Sequence, residues 1–143
     1  MHEILAAKNF ERDTRVLTEA FCSRSGWRLI TCAFFPIIDI VITGNRDLRL
    51  RFSCDDWDEQ PPSITLMQAD GSAWPSPPSG AIFNASAHPI TGRPFICMRG
   101  VREYHTHSSH LNESWASYRG QQGMDLAGLI AQITSAWHKL RMP

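Results

Sequence analysis

The sequence has no net charge: 14 lysines and arginines balance 14 aspartates and glutamates over 143 residues. Such a chain has no global attraction for nucleic acid or an anionic membrane, and neither is expected as a partner. It lacks any apolar run near the roughly 20 residues that a membrane span needs. The first residues, MHEILAAKNFERD, lack the basic start and apolar stretch of a secretion signal. No internal repeat is present. The cysteines Cys22, Cys32, Cys54 and Cys97 are scattered without C-x-x-C spacing, which argues against a zinc knuckle or a thioredoxin-type pair. These absences fit a cytoplasmic chain with reduced thiols and no implied cofactor.

What is present is an ordinary globular composition, 43% hydrophobic and 20% charged, in a length that suits one domain over residues 1–143. Residues 3–24 read as one amphipathic helix, with Ala6, Ala7, Phe10, Leu17, Ala20 and Phe21 as its apolar stripe and Ser25-Gly26 as its stop. Lys8, Arg12 and Arg15 share its basic face. The period then changes to two. Runs at 28–35 and 37–43, divided by Pro36, precede a clear alternation of Leu48, Leu50, Phe52 and Cys54 with charged and polar residues. After Pro61-Pro62 a fourth run covers 63–69, so an antiparallel meander is expected, one face under helix and the other partly wet. Cys22, Cys32 and Cys54 read as structural thiols within these elements. Residues 70–95 form a long loop that Trp74, Ile82 and Phe83 should pin down, and a closing helix from Asp125 to Leu140 carries Leu126, Leu129, Ile130, Ile133 and Trp137 on one side. The fold class is therefore α+β.

The stretch AHPITGRPFICM, residues 87–98, concentrates the chemistry. Pro89 and Pro94 stiffen it and bias His88 and Arg93 toward extended backbone. Cys97 at its end is either a nucleophile presented by a rigid loop or one more buried thiol. Beyond it His105, His107 and His110 spell H-x-H-x-x-H. Three readings stand for that cluster: a solvated polar segment, a lysine- or substrate-shaping wall, or a zinc site.

The order of parts resembles the ubiquitin-conjugating enzymes: helix, four-strand meander, Pro-Pro, long loop, His88-Pro89, Phe95-Ile96-Cys97-Met98, Trp115 and amphipathic helix. The resemblance implies a UBC-like fold of the compact prokaryotic kind and a transferase. That transferase would take a ubiquitin-like modifier protein from an activating (adenylating) enzyme as a thioester on Cys97 and pass it to a target protein. It further implies that His88 braces the loop, that Lys8, Arg12 and Arg15 meet the activating enzyme, and that the setting is a bacterial ubiquitin-like pathway, some of which serve antiviral defence. Ile90 stands where the family carries asparagine, which leaves Thr91 and Asn84 as candidates to support an oxyanion. The segment between Cys97 and Trp115 is an insertion relative to the family. His105, His107, Glu103, Glu113 and Asp125 are open as groups for proton transfer or lysine shaping, and no single base stands out. Two other functions remain: an inactive binding module of the same fold, and a zinc-binding protein built on His105, His107 and His110.

Overall fold

The alternation at 48–54 becomes the third strand of a four-stranded antiparallel meander in the computed structural model, which describes residues 2–141. The elements are α1 (Glu3–Thr14), α2 (Glu19–Ser25), β1 (Trp27–Leu29), β2 (Ile37–Ile42), β3 (Leu48–Ser53), β4 (Ser63–Met67), β5 (Phe83–Asn84), β6 (Phe95–Ile96), α3 (Arg102–His105) and α4 (Leu126–Lys139). Sheet order is β1-β2-β3-β4, and β5 with β6 makes a separate two-stranded pair. Single 3₁₀ turns cover Ser108–His110 and Trp115–Ser117. The protein is thus α+β with an antiparallel meander. Among the described residues no helix is long and apolar enough to cross a membrane.

Register explains the core. Ile38 faces Phe52, Ile40 faces Leu50 and Ile42 faces Leu48, and all six side chains are fully buried on one side of the sheet. Leu126, Leu129, Ile130, Ile133 and Trp137 of α4 join them in the same core, each contributing about 1.5–3 kcal/mol relative to an exposed position. Asp125 caps α4 by accepting from Gly128 N–H at 2.7 Å. The indole N–H groups tie distant elements together: Trp27 donates to Thr134 Oγ1, Trp57 to Asp13 and Trp137 to Arg46 O.

Two expectations need correction. The single helix over 3–24 is two helices, because threonines offer the backbone other partners. Thr14 Oγ1 donates back to Phe10 O at 2.8 Å, and Thr18 Oγ1 accepts from Phe21 N–H to start α2. Ala20 is consequently exposed. The strand expected over 28–35 ends at Leu29. Residues 31–33 leave the ladder, with Cys32 exposed rather than packed in a strand. Phe34 makes a single bridge to Ile37 across a turn in which Pro36, lacking an N–H, offers only its carbonyl, to Cys54 N–H. The second sheet face is partly wet as expected, with Arg28 and Arg51 exposed, and it is dry at β2. Asp39 and Val41 are buried there, and Arg49 and Arg51 on β3 hold the Asp39 carboxylate at 2.8 and 2.9 Å.

Residues 70–95 do pack down: Trp74 and Phe83 both lie against Trp137. Pairing of β5 with β6 then delivers the chain to Cys97 beside β4 and α3.

Candidate functional site

Cys97 prolongs β6 by one residue. Its N–H donates to Ile82 O at 2.7 Å, continuing the ladder in which Phe83 faces Ile96 and Asn84 faces Phe95. The chain turns immediately afterwards, Val101 N–H closing on Met98 O at 3.0 Å with Gly100 at φ +92°. Only glycine suits that corner, since a Cβ would run into Leu129 as well as demanding a left-handed backbone. The thiol therefore stands at a strand end, half-buried, with its main chain held on both sides.

The loop before it is braced by His88, which is buried. Nδ1 accepts from Ile90 N–H at 3.1 Å and Thr91 N–H at 3.4 Å, while Nε2 donates to Glu103 O at 2.8 Å. The ring also stands edge-on to Phe95, and the main chain closes through His88 N–H to Arg93 O and Gly92 N–H to His88 O. Both ring nitrogens are engaged by backbone, so the imidazole positions the loop and has no lone pair to offer the thiol. Pro89 and Ile90 lie on the exposed rim, and Thr91 Oγ1 accepts from Arg93 N–H at 3.3 Å.

The segment after Cys97 folds back over it. Glu103 on α3 accepts from Ser63 Oγ and Ile64 N–H, both at 2.7 Å, which fastens α3 to the outer edge of β4. His105 accepts from Gly100 N–H at Nε2 and donates from Nδ1 to Glu113 O. Its two nitrogens are thus fixed, and burial lowers its pKa. His107 stacks on Phe95 and accepts from Ser109 N–H to start the 3₁₀ turn. Asp125 is the α4 cap. The imidazole that reaches the sulfur is His110, with Nε2 3.7 Å from Cys97 Sγ. Its Nδ1 lies 2.9 Å from Glu113 Oε2, so it carries the proton donated to that carboxylate and leaves the Nε2 lone pair facing the thiol.

Glu113 is the hub of the arrangement. Oε2 also accepts from Tyr104 O–H at 2.8 Å; Oε1 accepts from Arg99 at 3.1 Å and from Tyr118 O–H at 3.4 Å. Tyr104 and His110 each donate to it, and with Arg99 they pull its pKa down to about 2. Tyr104 further lies flat against the His110 ring, centroids 4.0 Å apart. The Cys97 thiol is pushed the other way, upward, first by burial and then by the nearby Glu113 charge. It rests as a neutral thiol and needs a base to become a nucleophile. A thiol, an imidazole in reach of it and a carboxylate orienting that imidazole form the constellation of base-assisted nucleophilic chemistry.

Of the groups open for proton transfer at the sequence level, His105, Glu103 and Asp125 are engaged elsewhere, and His107 is fixed at Nδ1 as a cap. Glu113 orients His110, which the sequence presents only as one member of the H-x-H-x-x-H run, open to a solvated, a lysine- or substrate-shaping or a zinc-binding reading. The signal that could have found it is the His110-x-x-Glu113 spacing, which puts a carboxylate within reach of Nδ1 in a single turn. The three histidines of the H-x-H-x-x-H run do not converge: among the described residues no group of three or more histidine, cysteine, aspartate or glutamate side chains could hold a metal ion. Lys8, Arg12 and Arg15 are exposed on or just after α1, remote in sequence from this cluster, and Arg12 forks onto Asp13 at 2.9 and 3.0 Å.

Comparison with known proteins falls on this same half of the chain. A family model described as "Y4jH-like: Y4jH family" matches residues 82–139, from β5 through α4. The uncharacterized protein y4jH of Sinorhizobium fredii is 38% identical over 47 residues, which is 33% of this chain and 23% of that protein. The chain thus corresponds to less than a quarter of that relative's length. These matches overturn the resemblance to ubiquitin-conjugating enzymes, since the family model that covers Cys97, His110 and Glu113 is the Y4jH-like one and not a ubiquitin-conjugating one. The similarity carried by the site-bearing residues is to the Y4jH-like proteins.

Proposed function

We propose that this protein is a cysteine-dependent acyl-transfer enzyme in which Cys97 takes an acyl group as a thioester and passes it to an amine. The observation that carries this reading is the alignment of Cys97 Sγ, His110 Nε2 and Glu113 Oε2 through contacts of 3.7 and 2.9 Å. In the first half-reaction Sγ attacks the carbonyl carbon of an activated acyl donor. His110 Nε2 takes the thiol proton, the bond from carbonyl carbon to leaving group breaks, and that group departs with the proton. In the second half an acceptor amine attacks the thioester carbonyl carbon, the bond from that carbon to Sγ breaks, and His110 takes the proton lost by the amine and returns it to the departing Cys97 thiolate. Glu113 stays anionic throughout and stabilises the transient imidazolium. Positioned general-base help of this kind contributes about 10²–10⁴-fold in rate.

A protein C-terminus activated as a thioester is the donor that suits the site. Cys97 stands at a strand end and is only partly buried. A thiol at an open rim, between the His88 loop and the 3₁₀ turn at His110, admits a large donor and a lysine acceptor. A reducing compartment such as the cytoplasm suits it as well.

The test is acylation by peptide C-terminal thioesters, followed by intact-mass and fragment mass spectrometry. A hydroxylamine-labile adduct on Cys97 that forms much faster than on exposed Cys32, and that slows in His110→Gln, is the expected result. Equal labelling of Cys97 and Cys32 in the native protein would overturn the reading.

A further inference from the structure

We propose that Asn84 is the oxyanion donor of this reaction, a deepening that rests on the acyl-transfer reading above. When Sγ adds to a carbonyl, the carbonyl oxygen gains a full negative charge and needs a donor already in place. The main-chain N–H of the nucleophile commonly helps in such sites, but here it is committed to Ile82 O at 2.7 Å as part of the β5–β6 ladder. The ladder register supplies a side-chain donor on the facing strand instead.

Asn84 pairs with Phe95, and Ile82 with Cys97, so residues 82, 84, 95 and 97 share one face of the two-stranded pair. Asn84 is then the diagonal cross-strand neighbour of Cys97. Diagonal neighbours on one face stand about 7–8 Å apart at Cα, a span that a thioester carbonyl on Sγ and an asparagine amide bridge from either end. That face is also the functional one, because His107 lies stacked on Phe95 and His110 reaches Cys97.

The amide is oriented for the task. Ser86 N–H donates to Asn84 Oδ1 at 2.9 Å. A main-chain N–H needs an acceptor, so the atom facing it is the oxygen, and Nδ2 with its two protons faces the other way. The side chain is half-buried, which strengthens a hydrogen bond to a developing charge relative to water. The other sequence-level candidate, Thr91, sits in the His88 turn with Oγ1 already accepting from Arg93 N–H. During attack the C=O π electrons move onto oxygen, Nδ2–H donates to that oxygen, and the bond is released when the carbonyl re-forms and the leaving group departs. Asn84 gains and loses no atom or electron.

The experiment compares two reactions of the same thiol in the native protein, Asn84→Ala and Asn84→Asp. Acylation by a peptide thioester passes through an oxyanion; alkylation by iodoacetamide does not. Asn84→Asp keeps the Oδ acceptor for Ser86 N–H while removing the donor, and so guards against loss of the turn. Removal of one such donor costs about 10²–10³-fold in other enzymes, so acylation of Cys97 should fall about 100-fold in both variants while alkylation stays within about twofold. Unchanged acylation would overturn the proposal. So would a parallel fall of both reactions, which marks a structural role for Asn84. Failure of the native protein to acylate at all, with normal alkylation, would instead remove the acyl-transfer reading itself and this proposal with it.

Discussion

Asp39 in the sheet and Glu113 beside Cys97 are both carboxylates held well below their ordinary pKa, yet their surroundings assign them different work. Asp39 is buried on β2 and gripped by Arg49 and Arg51, permanent cations whose charge no reaction changes. Glu113 is held by Arg99, two tyrosine hydroxyls and one imidazole, His110, whose other nitrogen faces a thiol. One partner that can accept a proton separates a structural ion pair from the proton relay proposed here for Glu113 and His110. Low carboxylate pKa is common to both; what distinguishes the site is which group receives the field.

The sharpest way to break this contrast is His110→Gln, which keeps a side chain able to meet Glu113 but removes the base. Acyl transfer should fall about 10³-fold, with alkylation at neutral pH also slowed and the thermal midpoint little changed. If transfer survives, the contrast between the two carboxylates has no chemical content. Glu113→Gln should cost about 10²-fold in transfer by leaving the imidazolium uncompensated, whereas Asp39→Asn should leave the transfer rate unchanged. Asp39→Asn should instead destabilise the fold by about 1–2 kcal/mol, because it removes the buried anion while water still reaches Arg49 and Arg51; chemical denaturation measures this directly.

Acid titration sharpens the same comparison. In the unfolded chain Glu113 takes up a proton near 4.5, while in the fold it holds out to about 2. The unfolded state therefore binds more protons in that window, and the stability Glu113 contributes is complete above it and lost as pH falls through about 2. Asp39 acts in the same direction. Glu113→Gln should flatten the acid limb of a stability-against-pH curve without altering it near neutrality beyond the constant offset. An unaltered limb would place the stabilising charge elsewhere. The smallest effect belongs to His107→Ala, which removes a ring stacked on Phe95 and should cost about 0.5–1.5 kcal/mol with little change in alkylation of Cys97.

The sheet was legible because its signal is periodic. Leu48, Leu50, Phe52 and Cys54 alternate, and α4 repeats its apolar residues over a full length, so pattern alone places them. Helix 3–24 misled because Thr14 and Thr18 redirect local hydrogen bonds without interrupting the apolar spacing much. The strand over 28–35 misleads because its β-prone residues run on past Leu29, where the chain leaves the ladder ahead of the turn at Phe35 and Pro36. At the site, Cys97 and the stiffness of its loop are visible in the sequence, whereas β5 and β6 are two residues each and have no period to read. His110 was grouped with His105 and His107 by spacing, but their roles follow from which nitrogen meets which backbone group, and that is decided by tertiary contact. The family resemblance rested on the order of short motifs, which the match over residues 82–139 replaced.

Glu113 joins two histidines at once, its main-chain carbonyl receiving His105 and its carboxylate receiving His110. His110 is therefore anchored in a run of single turns, while Cys97 belongs to a ladder packed beside the sheet. Segments of that kind open locally at a lower free energy than a strand-and-helix core. On warming, the Cys97 sulfur should part from His110 while the sheet is still intact, so the proposed acyl transfer should be lost before the fold is.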